Sequence, residues 1–384
     1  MAKRRRLLLR YTFSYDQSTA IPIYIQNMIK ALNTLPDEEK PFLYVLYTKE
    51  APMQDIWLIK YPYLRAISAS NFGNLWQRIV NKFMRKFFHG NYLYYHGINK
   101  YKIDCIYPHF GIVDAALKKQ SVAWIADFQQ CYYPDFFPED DYKRIMNNLS
   151  HISQSEIKLV LSSQAAYDDY KKFYPAHTND VVLLRFTSFI PEMPESNWPD
   201  IKKKFSIQKP YFIISNQFWP HKNHLTVIQA VQLLHKQYNG ELPFELLITG
   251  KPYSHRNPKI FEELNGIVTS NNLQYCIRFL GFLERQEQLH LIKKSYAVIQ
   301  PSLFEGWSTL VEECKAMNKY VILSDLPVHR EQMTKNVSFF SPLSAEHLAE
   351  KIDLTFCSPQ QIHPINYKDN INQYARDILK IFRD

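Results

Sequence analysis

Glycine is scarce, with nine residues in 384. A chain so poor in the residue that tolerates any backbone angle has few places for a glycine-rich phosphate loop. Cysteine is sparse as well. Cys105, Cys131, Cys276, Cys314 and Cys357 form no Cys-x-x-Cys pair, so neither a zinc site nor a redox motif is indicated. Their odd number fits a compartment in which thiols stay reduced. No apolar run is long enough to span a bilayer. Lys3–Arg6 followed by Leu7–Leu9 starts like a secretory leader, but the apolar stretch stops at Arg10, too short for a leader's hydrophobic segment. Residues 7–13 read instead as a first buried strand, and a cytoplasmic location is expected.

What is present is enough chain for two domains with a large core. The formal net charge of +9 points to an anionic partner: nucleic acid, a membrane surface or a phosphorylated substrate. No nucleic-acid-binding motif accompanies that charge, so nucleic acid is not an expected partner.

The C-terminal half alternates short apolar runs with longer amphipathic stretches. The runs are Tyr211–Ser215, Phe244–Thr249, Ile277–Leu280, Ala297–Gln300, Tyr320–Leu323 and Val337–Phe340; helices are predicted at about 223–238, 258–270, 284–295 and 308–318. Strands alternating with helices imply βαβ units and a parallel sheet, which binds ligands at the carboxyl ends of its strands. The N-terminal half shows the same pattern less cleanly, with strands predicted at 7–13, 42–47, 103–107, 121–125, 158–162 and 181–186 and a helix at about 21–33. The proline-rich, polar stretch Ile190–Pro199 marks a linker. The expected domains are therefore 1–195 and 196–368, with a last helix at about 369–384 free to pack back on the first.

The segment Gln300–Glu313 carries the clearest site signal. A buried strand ends, the loop turns at Gly306, and Thr309 and Glu312 stand at capping-box spacing, which places a helix start near 309. The N–H groups of that first turn form an anion site. Glu305 in the loop and Glu313 in the helix would accept hydrogen bonds from hydroxyls while the amides take phosphate. The alternative is that both glutamates are helix-start residues favoured by the macrodipole.

This Glu-x7-Glu pattern resembles the donor-site signature of the family 4 retaining glycosyltransferases, which have the GT-B fold. The likeness continues through Ser215–His224, Gly250, Phe279–Gly281 and Ser324–Glu331, in matching order and spacing over about residues 205–345. In the N-terminal half it is confined mainly to Trp124–Gln129 and Leu161–Gln164. The resemblance implies an α/β GT-B architecture: two Rossmann-like domains whose parallel sheets face across a cleft, with donor bound by the C-terminal domain and acceptor by the N-terminal one. It implies that Glu313 binds the nucleotide ribose, that Glu305 contacts the donor sugar, and that the backbone of Gly306, Trp307, Ser308 and Thr309 holds sugar and diphosphate. Lys222 would neutralise the departing diphosphate, where charge builds as the glycosidic bond breaks; a solvated helix-start lysine is the bland alternative. Asn216, Gln217 and Gly250 complete the donor site, and Asp127 joins Lys222 and Glu305 as a catalytic candidate.

Three departures weaken the match. Gln217 stands where the family usually has an arginine, and an amide cannot offset phosphate charge. The turn after the first strand, Asp16–Ala20, has no glycine, leaving Ser18 and Thr19 to offer hydroxyls and amides. Ala126-Asp127 replaces a common His-Asp pair, with His109 the nearest substitute in sequence or simply a surface loop histidine. No Asp-x-Asp triplet occurs, which agrees with a donor site that needs no metal or other cofactor. His221 and His224 lack a third ligand, so a metal site there is not expected.

The resulting expectation is a retaining hexosyltransferase that uses a nucleoside diphosphate sugar and a glycan or lipid-linked acceptor in surface-polysaccharide or glycolipid assembly. Its rivals are a non-catalytic GT-B partner that binds sugar nucleotide and a sugar-nucleotide epimerase. Finally, Leu75, Trp76, Ile79, Val80, Phe83, Met84, Phe87 and Phe88 recur at helical spacing among Arg78, Lys82, Arg85 and Lys86, with no acidic residue. That pattern reads either as a peripheral helix on the inner face of a membrane or as a helix packed on the N-terminal sheet with a solvated basic face.

Overall fold

The computed structural model describes residues 4–13, 20–69, 75–88, 98–111, 115–253, 256–358 and 360–382. The chain divides into two units. The first comprises Met1–Phe128, Glu139–Thr187 and Lys368–Asp384; the second comprises Gln129–Pro138 and Ser188–Tyr367.

The first unit holds a seven-stranded parallel sheet: β1 (Arg6–Tyr11), β2 (Phe42–Tyr47), β3 (Leu64–Ser68), β4 (Cys105–His109), β5 (Ser121–Ile125), β6 (Lys158–Leu161) and β7 (Val181–Leu183), in the order β3-β2-β1-β4-β5-β6-β7. The strand β3 is absent from the sequence reading. It is an edge strand in which only Ile67 is buried, so it lacks the continuous apolar run that marks its neighbours. The strand predicted at 103–107 lies two residues later, which makes His109 the end of β4 rather than a loop residue. The helix Ala20–Asn33 follows β1 and sends Tyr24 onto the ring of Trp124, stacked at 4.3 Å, with Phe186 edge-on at 5.3 Å. Ser18 and Thr19 lie outside the described residues.

The second unit holds six parallel strands: β8 (Tyr211–Ser215), β9 (Glu245–Thr249), β10 (Ile277–Gly281), β11 (Val298–Gln300), β12 (Val321–Ser324) and β13 (Val337–Phe340), in the order β10-β9-β8-β11-β12-β13. Alternate residues of each strand feed two separate cores. Phe212, Ile214, Leu246, Ile248 and Ile299 meet Val227, Val231, Leu264 and Ile352 on one face. On the other, Tyr211, Ile213, Leu247, Val298 and Val321 meet Leu291, Val311 and Cys314. A strand covered on both faces must be apolar at successive positions, which is why the four inner strands, buried at every position, were visible as runs. Each such aliphatic side chain contributes about 1.5–3 kcal/mol when fully buried. The sheet order reverses between β8 and β11, because their next neighbours lie on opposite sides. Such a reversal opens a crevice at the carboxyl ends of those two strands.

Candidate active site

The loop after β8 supplies Lys222. Pro220–Lys222 form a single 3-10 turn, and Asn223 ends it in the left-handed region at φ 52°, where asparagine is tolerated better than most side chains. The Asn223 Nδ2 donates to the carbonyls of Pro301 and Pro342 at 3.1 and 2.8 Å, so the β8 loop is tied to the β11 loop. The Leu303 N–H donates to the His221 carbonyl at 2.7 Å and adds a second tie.

Across that junction the Lys222 Nζ donates to the Glu305 Oε1 at 2.5 Å, with the two side chains 17% and 10% exposed. The same oxygen accepts from Gln300 Nε2 at 2.8 Å and Ser302 Oγ at 2.7 Å. The Gln300 Oε1 accepts in turn from Asn216 Nδ2 at 2.8 Å. Asn216 therefore acts here as a positioning residue for Glu305 through Gln300. Burial on its own would raise the Glu305 carboxyl, but Lys222 beside it, with His221 and His329, more than reverses this and holds it down at about 2. All of these bonds converge on Oε1, and Oε2 accepts none among the described residues. It is the one oxygen of this carboxylate left for a ligand hydroxyl.

Glu313 lies one turn into the helix Thr309–Ala316, its side chain 3% exposed. Arg285, the first residue of the helix Arg285–Lys294, donates from Nη2 to the Glu313 Oε1. Sequence reasoning missed this partner, because Arg285 opens a separate helix 28 residues away at no regular spacing.

The helix starts at Thr309 as expected, but its cap differs from the capping-box reading. The N-cap is Ser308, whose Oγ accepts from the Val311 N–H at 3.4 Å, and Thr309 is the first helical residue. Glu312 does not reach back to the cap. It is buried and accepts from Tyr367 Oη at 2.6 Å and Gln332 Nε2 at 3.1 Å. Burial raises the Glu312 carboxyl, and the pull of Lys315 and of these two donors opposes it only in part. The Ser308 N–H, expected to face a ligand, donates to the Gln332 Oε1 at 3.1 Å. Among the described residues, the N–H groups of Thr309 and Leu310 have no acceptor, as is usual in the first turn of a helix. Trp307 is buried.

Gly250 follows β9 and lies against the β8 loop. A Cβ there would fall 1.9 Å from the Asn216 carbonyl oxygen, so only glycine permits the approach. Gln217 sits in the same loop, its carbonyl accepting from the Trp219 N–H at 2.8 Å. His224 is stacked on Phe218 at 4.6 Å and fully enclosed, and burial, then Lys222, lowers its basicity to about 3. Neutral and enclosed, it packs as a core ring. Among the described residues no group of three His, Cys, Asp or Glu could hold a metal ion. Thus Lys222, Glu305, Asn216, Gln217, Gly250, Glu313 and the 306–309 turn belong to the second unit, at the carboxyl ends of β8, β9 and β11. Asp127 follows β5 and belongs to the first, as does His109.

Residues 197–377 match the family described as glycosyl transferases group 1. Most of that stretch lies in the second unit, which ends at Tyr367. Over 231 residues, 59% of the chain, it is 26% identical to the O-antigen chain mannosyltransferase RfbU of Salmonella typhimurium, covering 58% of that protein. Over 236 residues it is 25% identical to O-antigen chain mannosyltransferase B of Escherichia coli, covering 60% of this chain and 57% of that one. The matched stretches thus span less than two thirds of these relatives' lengths. HepE of Anabaena, solved in complex with UDP-glucose, superimposes over 98% of this chain and 99% of its own with a TM-score of 0.67 at 13% identity. A likeness at that identity establishes the fold, which is GT-B with two parallel α/β units. Within the matched stretch, Lys222 and Glu305 meet at the reversal between β8 and β11.

Proposed function

We propose that the chain is a glycosyltransferase that moves a hexose-type sugar from a nucleoside diphosphate donor to an acceptor hydroxyl, with retention, in surface-polysaccharide or glycolipid assembly. The observation that carries this reading is the grouping of Lys222, Glu305 and the Thr309 and Leu310 amides at one strand-order reversal, with Glu313 one turn further on. The two amides would hold the diphosphate, the Glu305 Oε2 a sugar hydroxyl, and Glu313 the ribose hydroxyls. As the acceptor oxygen bonds to the anomeric carbon, the bond to the diphosphate breaks. The electron pair goes to the leaving phosphate oxygen, which Lys222 stabilises and which takes the acceptor proton. No metal or other cofactor enters this scheme. The relatives named as mannosyltransferases make mannose the first sugar to test.

A thermal-shift screen against sugar nucleotides, with and without magnesium, tests the site. A ligand bound only by the folded state raises the unfolding temperature. One donor should give a metal-independent shift, and Glu313→Ala should lose it. A shift that needs magnesium, or one that survives Glu313→Ala, would refute this assignment. Gln217 favours a second reading, a non-catalytic donor-binding partner; donor binding with no transfer to any supplied acceptor would select it. Turnover of the donor with no acceptor present would select an epimerase.

The helix Leu75–Phe88 bears on the acceptor. Trp76, Ile79 and Phe83 are 75%, 54% and 54% exposed, beside exposed Arg78 and Lys82. Exposed apolar rings among cations match an anionic membrane surface. No helix of the described residues is long and apolar enough to cross a membrane. A lipid-linked acceptor and a peripheral contact on the cytoplasmic face would use this helix. The protein should sediment with phosphatidylglycerol vesicles, and Trp76→Ser with Phe83→Ser should stay in the supernatant. Equal sedimentation of the two proteins would defeat the idea.

A further inference from the structure

Ser308 caps its helix with a hydroxyl, yet both of its backbone groups are also held by one side chain from elsewhere. Gln332 is the last residue of the helix Pro327–Gln332. Its Oε1 accepts from the Ser308 N–H at 3.1 Å, and its Nε2 donates to the Ser308 carbonyl at 2.7 Å. The same Nε2 donates to the Glu312 Oε1 at 3.1 Å. The Gln332 amide cannot turn over, because a flip would set its oxygen against the Ser308 carbonyl and the Glu312 carboxylate.

Glu312 is fixed in its turn. Its Oε2 accepts from Tyr367 Oη at 2.6 Å, and that hydroxyl oxygen accepts from the Ser188 N–H at 2.9 Å. The Lys315 Nζ lies 3.5 Å from Oε1. Two strings of donors therefore converge on one carboxylate: Ser188 through Tyr367, and Ser308 through Gln332. Ser188, Ser308, Glu312, Gln332 and Tyr367 are all buried. Burying a carboxylate is costly, and an apolar side chain at 312 would avoid that cost. The helix itself needs no such network. The Ser308 hydroxyl already serves the Val311 N–H, and the Ser308 carbonyl already accepts from the Glu312 N–H at 3.1 Å. What the network adds is direction. The Ser308–Thr309 peptide is trans and planar, so its N–H points opposite to the Ser308 carbonyl. By gripping that carbonyl, Gln332 aims the Thr309 N–H.

Building on the donor-site reading above, we propose that Gln332, Glu312 and Tyr367 are positioning residues for the donor, which together aim the Thr309 amide at its diphosphate. They act through the backbone of Ser308 and need no contact with the ligand. A fully satisfied buried network of this kind holds one geometry, so the amide meets the phosphate already oriented. Ser188 and Tyr367 are also the first and last residues of the long segment of the second unit. The hydroxyl that steadies the donor turn thus pins the two ends of that segment together.

Isothermal titration of the full chain with UDP, GDP, ADP and dTDP, and displacement of the bound diphosphate by its nucleoside, test this. The nucleoside reaches Glu313 but offers the Thr309 amide no phosphate. Gln332→Met, which keeps the bulk and removes all three bonds, should weaken the diphosphate by about tenfold and the nucleoside by less than about twofold. Tyr367→Phe removes one hydroxyl, should weaken the diphosphate selectively by about threefold, and serves if Gln332→Met fails to fold. Equal weakening of diphosphate and nucleoside would make these residues structural props and overturn the proposal. So would unchanged diphosphate binding in Tyr367→Phe and Gln332→Met when Glu313→Ala still weakens it, and the donor-site reading would survive. Wild-type protein that bound none of the four diphosphates would bring down both.

Discussion

Lys222→Ala is expected to lower the turnover of sugar transfer by about 10²–10³, while donor affinity falls by less than about tenfold. The asymmetry follows from when the charge is needed. In the ground state the diphosphate shares its charge among amides and neighbouring cations. As the glycosidic bond breaks, charge concentrates on one oxygen, and a fixed ammonium there acts mainly on the transition state. Equal losses in turnover and affinity would make Lys222 an ordinary binding residue.

The same variant has a pH signature. The Glu305 carboxyl is held at about 2, below its ordinary 4.5. A depressed folded value adds stability that is fully present above 4.5 and disappears as the pH falls toward 2. The shift corresponds to about 3 kcal/mol, on the order expected when one partner of a buried pair is removed. Urea unfolding should therefore show wild type well above Lys222→Ala at pH 7 and the two curves converging near pH 2. A gap that stays constant with pH would mean that the pair does not set the Glu305 carboxyl.

Gly250→Ala is the second large effect, about 3 kcal/mol or more of lost stability by denaturant midpoint. The added Cβ would meet the Asn216 carbonyl oxygen at 1.9 Å and its carbon at 2.7 Å, and the Gln217 Cα at 3.2 Å. All three are backbone, so no rotamer change relieves the collision. Relief must come from moving the β8 loop, which carries Asn216 and through it Gln300 and Glu305. Donor affinity should fall with stability. A variant with the wild-type midpoint and wild-type donor affinity would show that the two loops are not in contact.

What the sequence revealed depended on how each element is buried. The four inner strands of the second unit are buried at every position because both faces are covered, and all six strands were found within one residue at each end. β3 was missed because Ile67 is its only buried residue, so no apolar run marks it. The helix Glu139–Ser153 was missed too, although Pro138 followed by Glu139, Asp140 and Asp141 is a helix-start signal that could have found it. At the site, Lys222, Glu305 and Glu313 were legible through their resemblance to a known pattern. Their partners were not. Arg285, Gln332 and Tyr367 lie 28, 24 and 55 residues from the groups they hold, and tertiary structure alone brings them there. Glu312 illustrates the cost of local reasoning: its spacing from Thr309 suggested a cap, while its buried carboxylate serves Tyr367 and Gln332.

The stretch that matches the group 1 family is continuous, from 197 to 377, whereas the folded unit that holds most of it is not: that unit ends at Tyr367 and also recruits Gln129–Pro138. Modularity is therefore weaker than the family boundaries suggest. A chimaera that transplanted 197–377 onto a foreign N-terminal half would carry Arg256 without Gln129 and Phe137, its amide and aromatic neighbours. Exchange of C-terminal halves between such chains, whether by recombination or by engineering, has to move the ten-residue segment Gln129–Pro138 along with them.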